Sequence, residues 1–140
     1  MGLTAIVYRN VDNLRKDYKW AQFDVDRSTG EALLAVPKEA TIPKDAFVAA
    51  RVRIGNLKRI DALREAVQSV FAGRTSTLIA TILYSASHSG DVIKLSEIPK
   101  LREEVDLLKM HNSPVLSEFI DDLEILFLAA EKERNPIVFA

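Results

Sequence analysis

The chain contains no cysteine, which removes disulfide frameworks, thiolate zinc sites and cysteine nucleophiles together, and fits a reducing compartment. Histidine is nearly as scarce. His88 and His111 lie far apart with no cysteine to join them, and no D-x-D-x-D-G loop offers an oxygen cage, so no metal site is expected. The five glycines are scattered, and neither G-x-x-x-x-G-K nor G-x-G-x-x-G occurs, which excludes the usual phosphate cradles. No cofactor is expected. Long apolar runs are missing too: Thr77–Tyr84 and Leu123–Ala130 fall short of the roughly 20 residues that span a bilayer, and Glu124 interrupts the second. The opening apolar run stops at Tyr8-Arg9, too short for a secretory core, and Ile6 stands where myristoylation wants Ser or Thr. A cytoplasmic protein with no membrane partner is the expectation.

What is present describes an ordinary globular chain. Its 140 residues are 48% apolar, enough for one core without staples, so residues 1–140 read as a single domain. The near-zero net charge hides an asymmetry. Residues 1–75 carry a balance of +4 and residues 76–140 one of −5. Glu103-Glu104-Asp106 and Glu118-Asp121-Asp122-Glu124 would project a negative field from helix surfaces, favouring basic partners and repelling nucleic acid. A merely solvated helix face is the simpler explanation of the same runs. Arg51, Arg53, Lys58 and Arg59 form the densest basic group, but no aromatics are interleaved with them, which also argues against nucleic acid.

Periodicity places the elements. Leu3–Tyr8 is short, apolar and rich in β-formers, and reads as a strand followed by the turn-prone Asn10 and Asp12-Asn13. Trp20–Val25 and Glu31–Val36 read as a hairpin around Asp26–Gly30, with Gly30 supplying a positive φ and Pro37 ending the second strand. A connector over 38–45 leads to a strand at Phe47–Ile54, for which a helix is the competitor. Leu57, Ile60, Leu63, Val67 and Val70 recur at three- and four-residue spacing, so Leu57–Phe71 is an amphipathic helix with Asn56 at its cap. Thr75–Ser85 fits a buried strand or a short buried helix; its Thr, Ile and Tyr content favours the strand. Ser85–Asp91 reads as a loop. Ser96 opens a helix with Pro99 in its first turn, and Ser113 or Pro114 starts a longer one to about Glu133. Ile137–Phe139 adds a last strand. The sum is an α+β fold of two layers: an antiparallel-leaning sheet with three or four helices on one face.

Tyr84-Ser85-Ala86-Ser87-His88-Ser89-Gly90-Asp91 is the one stretch where catalytic residue types crowd together. A hydrolase needs a hydroxyl within reach of an imidazole whose other nitrogen meets a carboxylate, and adjacency in sequence does not provide that geometry. Neither G-x-S-x-G nor S-x-x-K occurs. A polar loop with His88 packed against the sheet competes with a small hydrolase or transferase in which His88 is the general base and Asp91 orients it. Trp20, Tyr18 and Tyr8 offer an interaction patch, against which stands a packing role for Trp20 in the sheet.

Met1-Gly2-Leu3 leading to Tyr8-Arg9-Asn10, the helix start at Ile54-Gly55-Asn56, the loop Tyr84-Ser85 to His88-Ser89-Gly90-Asp91, and the closing Asn135-Pro136-Ile137-Val138-Phe139 resemble small bacterial immunity proteins of polymorphic toxin systems. The resemblance implies a non-enzymatic binding protein that blocks a cognate toxin domain, with no catalytic residues of its own. The expected contact set is Ser87, His88 and Asp91 in the loop with Glu103, Glu104, Glu118, Asp121 and Asp122 on the acidic helices. A homo-oligomer joined through the Ile137–Phe139 edge is a further possibility.

Overall fold

The computed structural model describes residues 2–35 and 42–140. Val36, Pro37 and residues 38–41, which the sequence reading assigned to a strand end and a connector, lie outside the described residues. The architecture is α+β. Four strands, β1 (Leu3–Tyr8), β4 (Val48–Gly55), β5 (Val92–Ile93) and β6 (Ile137–Phe139), form one antiparallel sheet in the order β4-β1-β6-β5. A separate hairpin pairs β2 (Phe23–Val25) with β3 (Ala32–Leu34), and Gly30 closes its turn at φ +78°.

Alternation along the strands fixes which side is covered. Leu3, Ala5, Val7, Ile54, Ile93, Ile137 and Phe139 point inward and are almost wholly buried. Against them packs α4 (Pro114–Glu133), whose Leu116, Phe119, Ile120, Leu123, Leu126, Phe127 and Ala130 make the wide apolar stripe read from the sequence. α2 (Leu57–Phe71) and α3 (Ile98–Met110) flank α4 and complete the helical layer. Asn56 caps α2 by accepting from the Arg59 N–H at 3.0 Å.

The outer face follows from the register. Thr4 sits opposite Arg53, Ile6 opposite Arg51 and Val138, and Val138 opposite Val92, so these side chains share the side away from the helices.

Four expectations need correction. Thr75–Ser85 is not a strand: residues 77–83 are helical, with a π-helical turn over Ile79–Leu83 that buries Leu78, Ile82 and Leu83. Asn10 is not turn chemistry but the N-cap of α1 (Val11–Asp17), its side chain accepting from the Asp12 N–H at 2.8 Å. Trp20 lies outside the hairpin strands and is 62% exposed, stacking edge-on with Tyr18 at 6.3 Å rather than packing in the sheet. Finally, β6 is not an edge. It lies between β1 and β5, and Gly90 N–H to Phe139 O at 2.8 Å and Phe139 N–H to Asp91 O at 2.9 Å continue the ladder on its β5 side. No second copy can add to that strand without displacing β1 or β5.

Candidate functional site

The Ser-rich loop and the helical segment before it form one assembly, built around the free backbone groups at the two ends of residues 77–83. A helix leaves N–H groups unpaired at its start and carbonyls unpaired at its end. At the start, the Glu104 carboxylate, projecting from α3, accepts from Ser76 Oγ at 2.8 Å, the Thr77 N–H at 2.7 Å and the Leu78 N–H at 3.1 Å. Burial alone would push the Glu104 carboxyl up, but the hydrogen bonds from Leu78, Thr77 and Ser76 outweigh it and hold its pKa below the ordinary 4.5. At the other end, Arg64 Nε donates to the Leu83 carbonyl at 2.8 Å, and Asp61 steadies the same guanidinium at 3.0 Å. A negative group at the start and a positive one at the end both suit the helix dipole. Thr81 returns its hydroxyl to the Thr77 carbonyl at 2.7 Å inside the turn.

His88 belongs to the same assembly. Its Nε2 faces the Ile82 carbonyl at 2.8 Å, so that nitrogen carries the hydrogen and donates. Its ring is 7% exposed and lies between two aromatic rings: Tyr84 stacks at 4.6 Å between centroids, and Phe139 of β6 meets it edge-on at 4.5 Å. The other nitrogen, Nδ1, stands 3.3 Å from Asp91 Oδ2 without hydrogen-bond alignment, a contact that becomes an ion pair only when the imidazole is protonated. Asp91 in turn accepts from the Tyr84 hydroxyl, and that bond, followed by partial burial, raises the Tyr84 phenol above its usual value. The loop therefore brings His88, Asp91 and Tyr84 together.

The serines stand apart from this chemistry. Ser85 Oγ accepts from the Ser87 N–H at 3.0 Å, a turn within the loop. Ser87 and Ser89 are exposed and, with Gly2, Leu3, Ala86, His88 and Ala140, border a depression of about 200 Å³. Nε2 is committed to the Ile82 carbonyl, while Nδ1 faces Asp91, is shielded from solvent and has no hydrogen-bond partner.

The acidic residues of the expected contact set separate into two kinds. Glu104 is 4% exposed and its carboxylate is spent on residues 76–78; it cannot meet a partner. Glu103 faces solvent beside Lys100 at 3.7 Å. On α4, Glu118 and Asp121 are exposed, Glu118 reaching Arg59 of α2 at 3.6 Å, while Asp122 is half-buried. Burial, reinforced by the charges of Glu118 and Asp121 and opposed by Arg59, raises the Asp122 carboxyl. One turn further on, Ile125 and Leu128 are 52% and 63% exposed on the same helix. Elsewhere on the acidic helices Lys109 pairs with Glu124 and Arg102 with Glu131, ties between α3 and α4.

Sequence reasoning missed Ser76, Arg64 and Glu133. Ser76 precedes an apolar run, which is an N-cap signature, but Glu104 and Arg64 come from distant segments with no local signal. Glu133 is buried at the end of α4 and accepts from the Asn10 N–H at 3.0 Å.

Among the described residues, no group of three or more His, Asp or Glu is placed to hold a metal ion, and no helix is long and apolar enough to cross a membrane. The fold and site define an α+β protein with one imidazole turned inward and an acidic, partly apolar helix turned outward. No protein-family model, curated protein or solved structure matches the chain.

Proposed function

We propose that the protein acts by binding another macromolecule, as a non-enzymatic inhibitor of the immunity type whose partner is a cognate toxin domain in the cytoplasm. The observation that carries this reading is the outer face of α4, where the carboxylates of Glu118 and Asp121 stand beside the exposed Ile125 and Leu128. Large apolar side chains at i and i+3 next to like charges are an unfavourable surface for a free protein and a favourable one for a basic partner with an apolar patch. Burial is the first cause that raises the Asp122 carboxyl, and the charges of Glu118 and Asp121 add to it against Arg59; a further cation brought to this face relieves the charge part.

The test is the association rate with the purified product of the neighbouring gene, measured by stopped flow across ionic strength. The wild-type rate should fall as salt screens the face, with a screening length of about 10 Å at 0.1 M, and E118K/D121K/D122K should slow association by about tenfold or more. A salt-independent rate, unchanged by the triple reversal, overturns the reading.

A second reading, a small hydrolase or transferase using His88 and Asp91, draws on the depression that His88 shares with Ser87 and Ser89. It requires the ring to give up the Ile82 carbonyl, so turnover would have to survive where that bond is lost. His88→Gln with unchanged folding and no loss of any detected turnover disposes of it.

A further inference from the structure

The two edges of the main sheet are unlike. β5 ends one side with two residues, too short to template another strand. β4 ends the other with eight, and no strand among the described residues pairs with its outer side. Register shifts near Leu3/Thr4 and Val7/Tyr8 interrupt its pairing with β1 at both ends, which leaves Ala50–Arg53 as a regular run opposite Val7, Ile6, Ala5 and Thr4. Within that run the side chains alternate. Ala50 and Val52 pack against the core, while Arg51 and Arg53 stand exposed on the outer face and form no ion pair among the described residues. Below the edge, Leu128 and Ala129 of α4 border a depression of about 350 Å³ together with Ala49 of β4 and the charged Arg9, Lys132 and Glu133.

A strand edge unpaired among the described residues, a ledge beneath it with exposed Leu128 at its rim, and two arginines above it specify an occupant. We infer that the outer edge of β4 accepts an extended segment of a partner protein, added as a fifth strand, in which acidic residues alternate with apolar ones. The backbone supplies the ladder. The acidic residues lie beside Arg51 and Arg53, and the apolar ones lie on the α4 side, where Leu128 is 63% exposed. A second copy of this chain does not fit: self-pairing about Arg51, Val52 or Arg53 sets arginine opposite arginine on the outer face, and like charges directly opposite destabilise a strand pair. The inference differs from the reading of the acidic α4 face in charge and in mode of contact and shares Leu128 with it, so the arginine reversal R51E/R53E, which leaves the α4 face untouched, is the arm that tells the two apart.

The probe is a labelled nine-residue peptide alternating Glu and Val, compared by fluorescence anisotropy with a Lys/Val peptide of equal length and with the Glu/Val sequence N-methylated at alternate backbone nitrogens. The Glu/Val peptide should bind at least about tenfold more tightly than the Lys/Val peptide, as two cross-strand ion pairs allow. R51E/R53E should invert that preference, and L128D should weaken Glu/Val binding; all three side chains are exposed, and circular dichroism checks that the variants fold. Bound Glu/Val peptide should also slow hydrogen exchange at β4 amides. Equal binding of the N-methylated peptide would reduce the contact to charge alone and overturn strand addition. Absence of Glu/Val binding, or a dimer in sedimentation that R51E/R53E abolishes, would overturn it as well, the latter by assigning the edge to a second copy.

Discussion

The main sheet with its helices and the small N-terminal lobe of α1 and the β2–β3 hairpin are stabilised in different ways. The first surrounds a continuous apolar cluster running from Leu3 through Leu123 to Phe139. The second, among the described residues, buries Leu14, Phe23 and Ala32, with Val11, Tyr18, Ala21, Leu34, Ile42 and Phe47 partly covered around them. Polar ties make up part of the difference. Asn10 donates its backbone N–H to Glu133 Oε1 at 3.0 Å and its side-chain amide to the Glu133 carbonyl at 2.9 Å, and Asn135 Nδ2, which donates to the Tyr8 carbonyl of β1 at 2.7 Å, also reaches the Gly30 carbonyl of the hairpin turn at 3.5 Å. The close fit there shows at Gly30, where an added Cβ would fall 2.2 Å from Asn135 Oδ1. A region with few buried contacts opens at lower free energy than the core. The lobe is thus the low-stability unit, held to the rest by hydrogen bonds from two asparagines.

Paired truncations break that comparison most strongly. Leu123 and Leu14 are both fully buried, so Leu→Ala removes the same atoms from equally covered sites. Leu123→Ala should cost about 4 kcal/mol of global stability in urea unfolding, and Leu14→Ala about 2 kcal/mol, because the lobe relaxes locally. Hydrogen exchange should speed up throughout the molecule in the first and only around residues 10–34 in the second. Equal global losses would mean that the two regions unfold as one.

The buried carboxylate comes next. Glu104→Ala leaves the Ser76 hydroxyl and the Thr77 and Leu78 N–H groups without an acceptor, and should cost about 3 kcal/mol; Glu104→Gln, which keeps one acceptor oxygen, should cost less. The folded-state pKa lies below the unfolded 4.5, so the charged form contributes stability fully above about pH 4.5, and that contribution is lost as pH falls through the depressed folded value. Wild type should therefore lose stability in acid more steeply than Glu104→Gln. Parallel acid limbs would show that the carboxylate does not titrate between the two states. The smallest effect belongs to Asn135→Ala, about 1 kcal/mol, with faster exchange in the hairpin turn and at the end of β1, the two places its amide reaches.

The regular elements were legible where one face is apolar at a fixed period. α2 and α4 show that pattern, and their starts at Asn56 and Ser113-Pro114 are as read. α1 escaped notice because its stripe, Val11, Leu14 and Tyr18, spans two turns only, and its cap Asn10 resembles a turn residue. Residues 77–83 misled through their own composition. Thr and Ile favour strands, but Glu104 and Arg64 satisfy both helix ends, and Leu78, Ile82 and Leu83 then reach the core. At the site, the sequence marked His88 and Asp91 only as an alternative pairing, because adjacency does not fix geometry, and the direction of each ring nitrogen was not legible, since Ile82 O comes from a turn that the sequence placed in a strand. Glu104 could not be told from its acidic neighbours, because burial depends on a rotation of α3 that charge patterning does not register.

The central claim is that function resides on the outer surface and that the Tyr84, His88 and Asp91 cluster is architecture. Co-expression with the product of the neighbouring gene, read as growth of the host cells, tests it most directly on two folded variants. The account predicts that E118K/D121K/D122K loses protection while His88→Gln keeps it. Protection lost with His88→Gln and retained with the triple reversal would contradict it.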